Sequence, residues 1–457
     1  MTLPVQHHPG QHPGQHRRTT RVLVTAAALA ATALTGLTAV PTARATAPGG
    51  PPAATDGFDA TLTRWDDGRD FRTGRLDGLR VRGGRLELDR VRTLAEVPYV
   101  DPHGHGTGRV YEAGTWTSPV VRLGYSTDEA ISSWNATTPT GTWVETSFRG
   151  RHTDGSWTKW YVLGRWTSGM DFAAGDIHRT SLDGQRDDDG TVYTDTFSSR
   201  TGREPVAFQT RVTLLRPVGA RTRPALEGVT TMTSELVPDE APPTSEFTLG
   251  RAVELRVPRY SQNIHRGEYP EYGGGGQVWC SPTSSSMAMR WWGRRFAPSA
   301  RDLAGIVAPN GDPQVPYAAL HTWDYTYEGA GNWPFNAAYA HSHGLDAFVT
   351  RLRSLAEAER FVAAGIPVIT SLSWDLEEMP EAGYATDGHL MVIVGFTADG
   401  DPILNDPASS SNEEVRNVYT RENFEKVWQG STGGVSYIYT APGTRLPRTV
   451  PGQTPNW

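Results

Sequence analysis

GGGGQVWCSPTSSSMAMRWWG, residues 273–293, holds Cys280, the only cysteine of a 457-residue chain. Four glycines lead in, Pro282 stands two residues past the cysteine, and Gly293 ends the run. Pro just inside a helix start and Gly just past its end are favoured placements. The spacing predicts a helix over 282–292, with Ser281 as cap and Cys280 at its positive end. That end suits an anion, and the thiolate is the nucleophilic form of cysteine. One thiol can neither close a disulfide within the chain nor build a cysteine-ligated metal site. By position alone, Cys280 reads equally as a buried packing residue or as a nucleophile.

Downstream segments favour the nucleophile. His389 opens the apolar strand HLMVIVGFT (389–397) as its polar residue. A turn over 398–401 follows, then PILND (402–406), ending in Asp406-Pro407. A hairpin of this kind returns its second strand beside the first, so Asp406 can orient an imidazole at His389. Asn405 points to the opposite face if the strand continues through it. Around this hairpin, helices are expected over 335–343 and 354–365, the latter with Ser354 and Glu357 as a capping box. Further strands are expected at 367–374 and 435–440. Helices first and antiparallel strands later make an α+β domain.

Taken in order, VPRYSQ (257–262), WCSPTSSSM (279–287), GIPVITSLSW (365–374), DGHLMVIVGF (387–396) and ILNDP (403–407) resemble the peptidase family 39-like group of papain-like cysteine peptidases. The likeness runs over about residues 253–445. It implies a papain-like fold with Cys280 as nucleophile, His389 as general base and acid, and Asp406 as orienting residue. It also implies an upstream glutamine that shares the oxyanion hole with the Cys280 backbone N–H, and no cofactor. Two departures stand out. Ser281 occupies the place where members usually have Gly, and the glutamine is displaced. Gln277 lies three residues before the cysteine and Gln262 eighteen before it, across the insertion IHRGEYPEYGGGGQVW. Gln262 is the expected oxyanion residue because it belongs to the VPRYSQ segment; Gln277 is the second choice.

Residues 1–45 read as a signal peptide: Arg17, Arg18 and Arg21, an apolar run over 22–40, and the cleavage pattern Ala43-Arg44-Ala45. The Arg17-Arg18 pair hints at twin-arginine export, but Thr19 and Thr20 stand where an apolar residue would follow. Residues 46–56 are a Pro/Gly/Ala linker. Residues 57–236 alternate apolar and polar in short runs such as RLELDRV (85–91) and TKWYVLGRW (158–166), broken by Asp-Gly turns. That texture predicts an all-β sandwich, jelly-roll-like, as the first domain. A second linker over 237–252, the peptidase-like domain over 253–445 and a C-terminal tail over 446–457 complete the division. The Pro-rich stretch VPDEAPPTSEF (237–247) predicts separable halves.

A net charge of −7, with no basic stripe, argues against a nucleic-acid partner. No segment after the signal reaches the roughly 18 apolar residues of a membrane span. His103 and His105 in DPHGHGTG read as loop, His321, His341 and His343 as helix-end or packing residues, and no HExxH supports a zinc peptidase. Most sandwich tryptophans read as core, with Trp134 the best exposed platform. The combined expectation is a secreted cysteine peptidase acting on peptides or proteins, cell-wall peptide among them. A cell-wall amidase or acyl transferase on the same scaffold, and an inactive binding protein, are the rival readings.

Overall fold

The computed structural model describes residues 58–89, 91, 93–104, 108–236 and 242–457. The expected signal peptide, the 46–56 linker and His105 lie outside the described residues, as does part of the second linker.

The first half is built from two antiparallel sheets. One runs Gly190–Tyr193, Thr196–Ser199, Glu129–Thr137, Ala225–Glu235, Arg85–Leu88 and Leu79–Arg82, with Asp59–Trp65 also pairing on Ala225–Glu235. The other runs Tyr161–Trp166, Trp143–Arg151, Ala207–Pro217, Arg109–Thr117 and Arg75–Asp77, with Ala95–Tyr99 and Val121–Arg122 along its margins. Strand alternation turns one side of each sheet inward. Phe208, Val212 and Leu214 are fully buried on one strand, and Trp116 is fully buried on its neighbour. The sheets meet through these residues: the Trp65 and Trp116 rings lie 5.3 Å apart, and Phe148 and Phe197 4.8 Å apart.

The second half is α+β. Its antiparallel sheet runs Asp346–Arg351, Val435–Thr440, Val368–Trp374, Thr386–Phe396, Pro402–Asn405 and Arg416–Val418, with Val253–Glu254 pairing on Thr386–Phe396. The expected strands are present, and the helices form at Cys280–Trp291, Trp333–Ser342 and Leu355–Ala363. The helix Cys280–Trp291 lies against Thr386–Phe396, where Ser284 Oγ donates to the Leu390 carbonyl at 2.9 Å. The expected capping box is only half formed. The Ser354 side chain accepts from the Glu357 N–H, but Glu357 reaches back to the N–H of Arg353, one residue before the cap. No described helix is long and apolar enough to cross a membrane.

The two halves pack on each other beyond the Pro-rich stretch that joins them. Phe335, from the helix Trp333–Ser342, places its ring 6.1 Å from Trp134 in one sandwich sheet and 5.3 Å from Trp166 in the other. A helix of the second half thus closes the core of the first. Trp134 is 1% exposed on the strand Glu129–Thr137, so the loop platform expected of it does not exist. Arg179, fully buried, donates to the carbonyls of Leu320 (2.6 Å) and Trp323 (3.3 Å) across the junction. Asp195 accepts from the Trp333 N–H at 2.7 Å. The second linker is tied down where it is described, since Ser245 and Thr248 donate to Glu425 and Glu359. The terminal segment packs as well: Leu62 N–H donates to the Pro455 carbonyl at 2.9 Å, and Trp457 meets Phe361 edge-on at 5.1 Å.

A shared core has a measurable consequence. Phe335→Ala should cost about 3–5 kcal/mol, the usual loss for a buried phenyl ring. Denaturant unfolding followed by tryptophan fluorescence should show one transition in both proteins, moved to lower denaturant in the variant. Two transitions in the parent chain, or one that the substitution leaves in place, would contradict the shared core.

Candidate active site

His389 sits on the strand Thr386–Phe396, opposite Leu372, and is 3% exposed. The following residues, Leu390 to Phe396, are apolar or glycine and buried on both faces, so the strand has no freedom to turn the imidazole elsewhere. The partner strand returns with Val392 opposite Asn405, which brings Asp406 to the histidine. His389 Nε2 donates to Asp406 Oδ1 at 2.8 Å. Two aromatic rings meet the imidazole edge-on, Trp374 at 5.8 Å and Tyr384 at 5.9 Å. Trp374 Nε1 in turn donates to the Tyr384 carbonyl at 2.7 Å, locking the two rings together.

Asp406 is 2% exposed. A buried carboxylate is tolerated only where its lone pairs are filled. Here four donors fill them: His389 Nε2 and the Ala408 N–H (2.9 Å) on Oδ1, and the hydroxyls of Tyr384 (2.8 Å) and Tyr419 (2.7 Å) on Oδ2. Burial alone would raise its pKa, but His389 and these donors hold it below the usual carboxylate range. Burial pushes Tyr384 and Tyr419 far up, with the Asp406 charge adding to it, so both stay hydroxyl donors. For His389, burial lowers the pKa, and Asp406 and then Cys280 outweigh it, raising it to about 10. Both partners favour the charged form of the imidazole.

Cys280 is the first residue of its helix, half-buried, and hydrogen-bonded to His389. Nε2 is taken by Asp406, which leaves Nδ1 for the sulfur. The expected capping is corrected at this point. Trp279 is the N-cap residue, with no side-chain cap, and Ser281 lies inside the first turn. Ser281 Oγ shares a 3.1 Å hydrogen bond with Tyr437 Oη, which seats the buried serine against the sheet. The helix start is instead anchored from behind. Trp279 is fully buried and its Nε1 donates to the Tyr272 carbonyl at 2.8 Å.

Cys280, His389 and Asp406 are thus brought into one hydrogen-bonded run. Of the two glutamines, Gln262 is buried and Gln277 exposed. The Gln262 N–H donates to the Pro407 carbonyl at 2.8 Å, fastening its segment to the turn after Asp406, while its Oε1 is buried without a partner. Asn405 points away from His389, as strand alternation requires, and donates to the Pro258 carbonyl at 3.1 Å. It holds the VPRYSQ segment from the other side. The glycines of the insertion are set in a tight turn. Gly273, Gly274, Gly275 and Gly276 all have positive φ, and a side chain at Gly275 would stand 2.1 Å from the His265 carbonyl oxygen. They let the chain turn tightly against residues 263–268.

Sequence reasoning missed Tyr384, Tyr419 and Trp374. A buried aspartate demands donors, but nothing in the pattern picks two of sixteen tyrosines. His321 and His343 are packing residues whose pKa burial lowers, to about 3 and about 4. No group of three or more metal-ligating side chains occurs among the described residues.

The His389–Asp406 pair also sets a pH dependence of stability. The histidine's pKa rises from 6.5 unfolded to about 10 folded. Its contribution is therefore full below about pH 6.5 and is lost as pH climbs through about 10. The parent chain should lose thermal stability across that window relative to His389→Gln. Parallel melting curves for the two proteins from pH 6 to pH 10 would contradict a charged, buried histidine.

Residues 254–436 match the Peptidase_C39 like family, and residues 61–234 match the Peptidase C39 N-terminal domain. A crystal structure of a C39-like protein from Bacillus anthracis is 19% identical and covers 43% of this chain and 100% of its own. Its TM-score of 0.27 is too low to carry an argument about fold. No curated protein matches the chain. The family suggests a cysteine peptidase-type function, consistent with a cysteine and a histidine in contact. By these matches, the second half of the chain is similar to the C39-like peptidase family and the first half to the C39 peptidase N-terminal domain.

Proposed function

We propose that the chain is an exported cysteine peptidase that hydrolyses peptide bonds through Cys280, His389 and Asp406. The observation that carries this reading is the hydrogen-bonded run from the half-buried thiol through the imidazole to a carboxylate with four donors. A structural ion pair has no need of a cysteine at its open end. The nucleophile helix packed on the antiparallel sheet that bears the histidine is in keeping with a papain-like fold. The division into signal, sandwich and peptidase-like domains, with export through residues 1–45, belongs to the same proposal.

The chemistry follows from the placement. The Cys280 thiolate attacks the peptide carbonyl carbon, and the carbonyl oxygen takes the negative charge. The Cys280 backbone N–H and the Gln262 side chain hold that oxygen. The tetrahedral adduct collapses as the His389 imidazolium gives its proton to the leaving amine, leaving a thioester on Cys280. His389, now neutral, takes a proton from water, which attacks the thioester. The acid departs, and the thiolate–imidazolium pair is restored. Asp406 stays ionised throughout, fixing the ring and stabilising its charge. No step calls for a cofactor.

Turnover of a peptide library tests the assignment. Cys280→Ala should fall to background while its melting temperature stays near that of the parent. Asp406→Asn keeps the shape and removes the charge, so kcat should fall about a hundredfold with KM little changed. Retained turnover in Cys280→Ala would exclude the cysteine mechanism. A change in KM alone for Asp406→Asn would remove the carboxylate from the chemical step.

A further inference from the structure

The outer face of the second sandwich sheet carries a cationic trough that the chemistry above does not use. At one end, a cavity of about 450 Å³ is lined by Arg75, Thr117, Arg149, Trp160, Gln209 and Arg211. It adjoins one of about 330 Å³, sharing Asp77, Thr115 and Arg211 with it, whose far side is lined by Tyr99, Trp143 and Leu215. Strand alternation explains the lining. Gln209, Arg211, Thr213 and Leu215 are the outward set of Ala207–Pro217, whose inward residues make the sandwich core.

Charge along the trough is unbalanced. Its two carboxylates are engaged, Glu145 with Arg165 at 2.9 Å and Asp77 with Arg75 at 3.6 Å. Arg149 and Arg211 have no carboxylate within 4.0 Å among the described residues. Arg149 instead donates to the amide oxygen of Gln209, and the Nε of Arg211 is buried with no partner. Two guanidinium groups with no carboxylate paired to them, one with an unsatisfied donor and only the charge of Glu145 nearby, leave room for a further anion. The Trp160 ring holds both: the Arg149 and Arg211 guanidinium carbons lie 4.5 and 4.4 Å from it.

We propose that this trough binds an acidic peptide segment, with a carboxylate between Arg149 and Arg211 and an apolar side chain in the Tyr99, Trp143 and Leu215 end. Planar guanidinium groups match a planar carboxylate in paired hydrogen bonds. An apolar pocket beside a cationic one fits neighbouring side chains of a peptide. A sugar ring fits less well, because cations already cover the tryptophan faces: Arg149 stands 4.2 Å from Trp157 as well as over Trp160. Binding here does not depend on the reading of Cys280, so the two can fail separately.

The test is fluorescence anisotropy with the full chain carrying Cys280→Ala, which prevents turnover of the probe. Probes are a labelled Phe-Glu-Glu peptide, its Phe-Gln-Gln counterpart and a sulfated oligosaccharide. The acidic peptide should bind, and the amide peptide should bind at least tenfold more weakly. Arg211→Gln and Arg149→Gln should each weaken acidic-peptide binding at least tenfold with an unchanged melting temperature. Arg149 is half-buried, so its variant serves if Arg211→Gln does not fold. No binding, equal binding of the amide peptide, binding indifferent to Arg149→Gln, or binding of the oligosaccharide alone would overturn the proposal.

Discussion

A single buried carboxylate organises the second half of this chain. Asp406 gathers the imidazole of His389, a backbone N–H two residues on, and hydroxyls from two loops that are distant in sequence. Each donor comes from a different piece of backbone, so satisfying Asp406 fixes four pieces at once. Leaving it unsatisfied would cost several kcal/mol, as for any buried charge that loses its partner. Tyr384 closes the loop ahead of His389 and also lends its ring edge to the imidazole. Tyr419 closes the far side, just after the strand Arg416–Val418. The histidine is held because the aspartate must be held.

The helix that begins at Cys280 obeys a related constraint. Ser281, Thr283, Ser284, Ser285 and Ser286 are all buried, which is unusual for a run of hydroxyls. Each has a partner. Ser284 reaches the carbonyl next to His389 in sequence, Ser285 the Asn336 side chain and Tyr439, and Thr283 and Ser286 carbonyls one turn back. Short polar side chains let the helix lie close to the sheet while hydrogen bonds set its height and rotation. That is how a sulfur on one element comes to meet an imidazole on another.

Much of the site was legible in the sequence because it rests on local rules. Pro282 and Gly293 bracket a helix, an unbroken apolar run marks the His389 strand, and a short turn returns Asp406 to it. What was not legible depended on long-range packing. Tyr384 and Tyr419 reach Asp406 from segments with no periodic pattern. Ser281 looked like a cap, but its hydroxyl is claimed by Tyr437, and Trp279 takes the cap position. Trp134 looked exposed because Thr and Pro follow it. Its strand runs on to Thr137, and Phe335 from the second half covers its ring. The shared core was hidden for the same reason, since a Pro-rich connection says nothing of what the two halves bury between them.

The central claim is that Cys280 is an activated thiol and not a packing residue, and alkylation tests it most directly. The full chain is treated with a chloroacetamide reagent at neutral pH, natively and after unfolding in denaturant, and the adduct at Cys280 is counted by mass spectrometry. An activated thiol beside an imidazolium should react faster in the folded chain than in the unfolded one, and His389→Ala should abolish that advantage. A folded thiol that reacts more slowly than the unfolded one, with or without His389, would mark Cys280 as an idle buried cysteine.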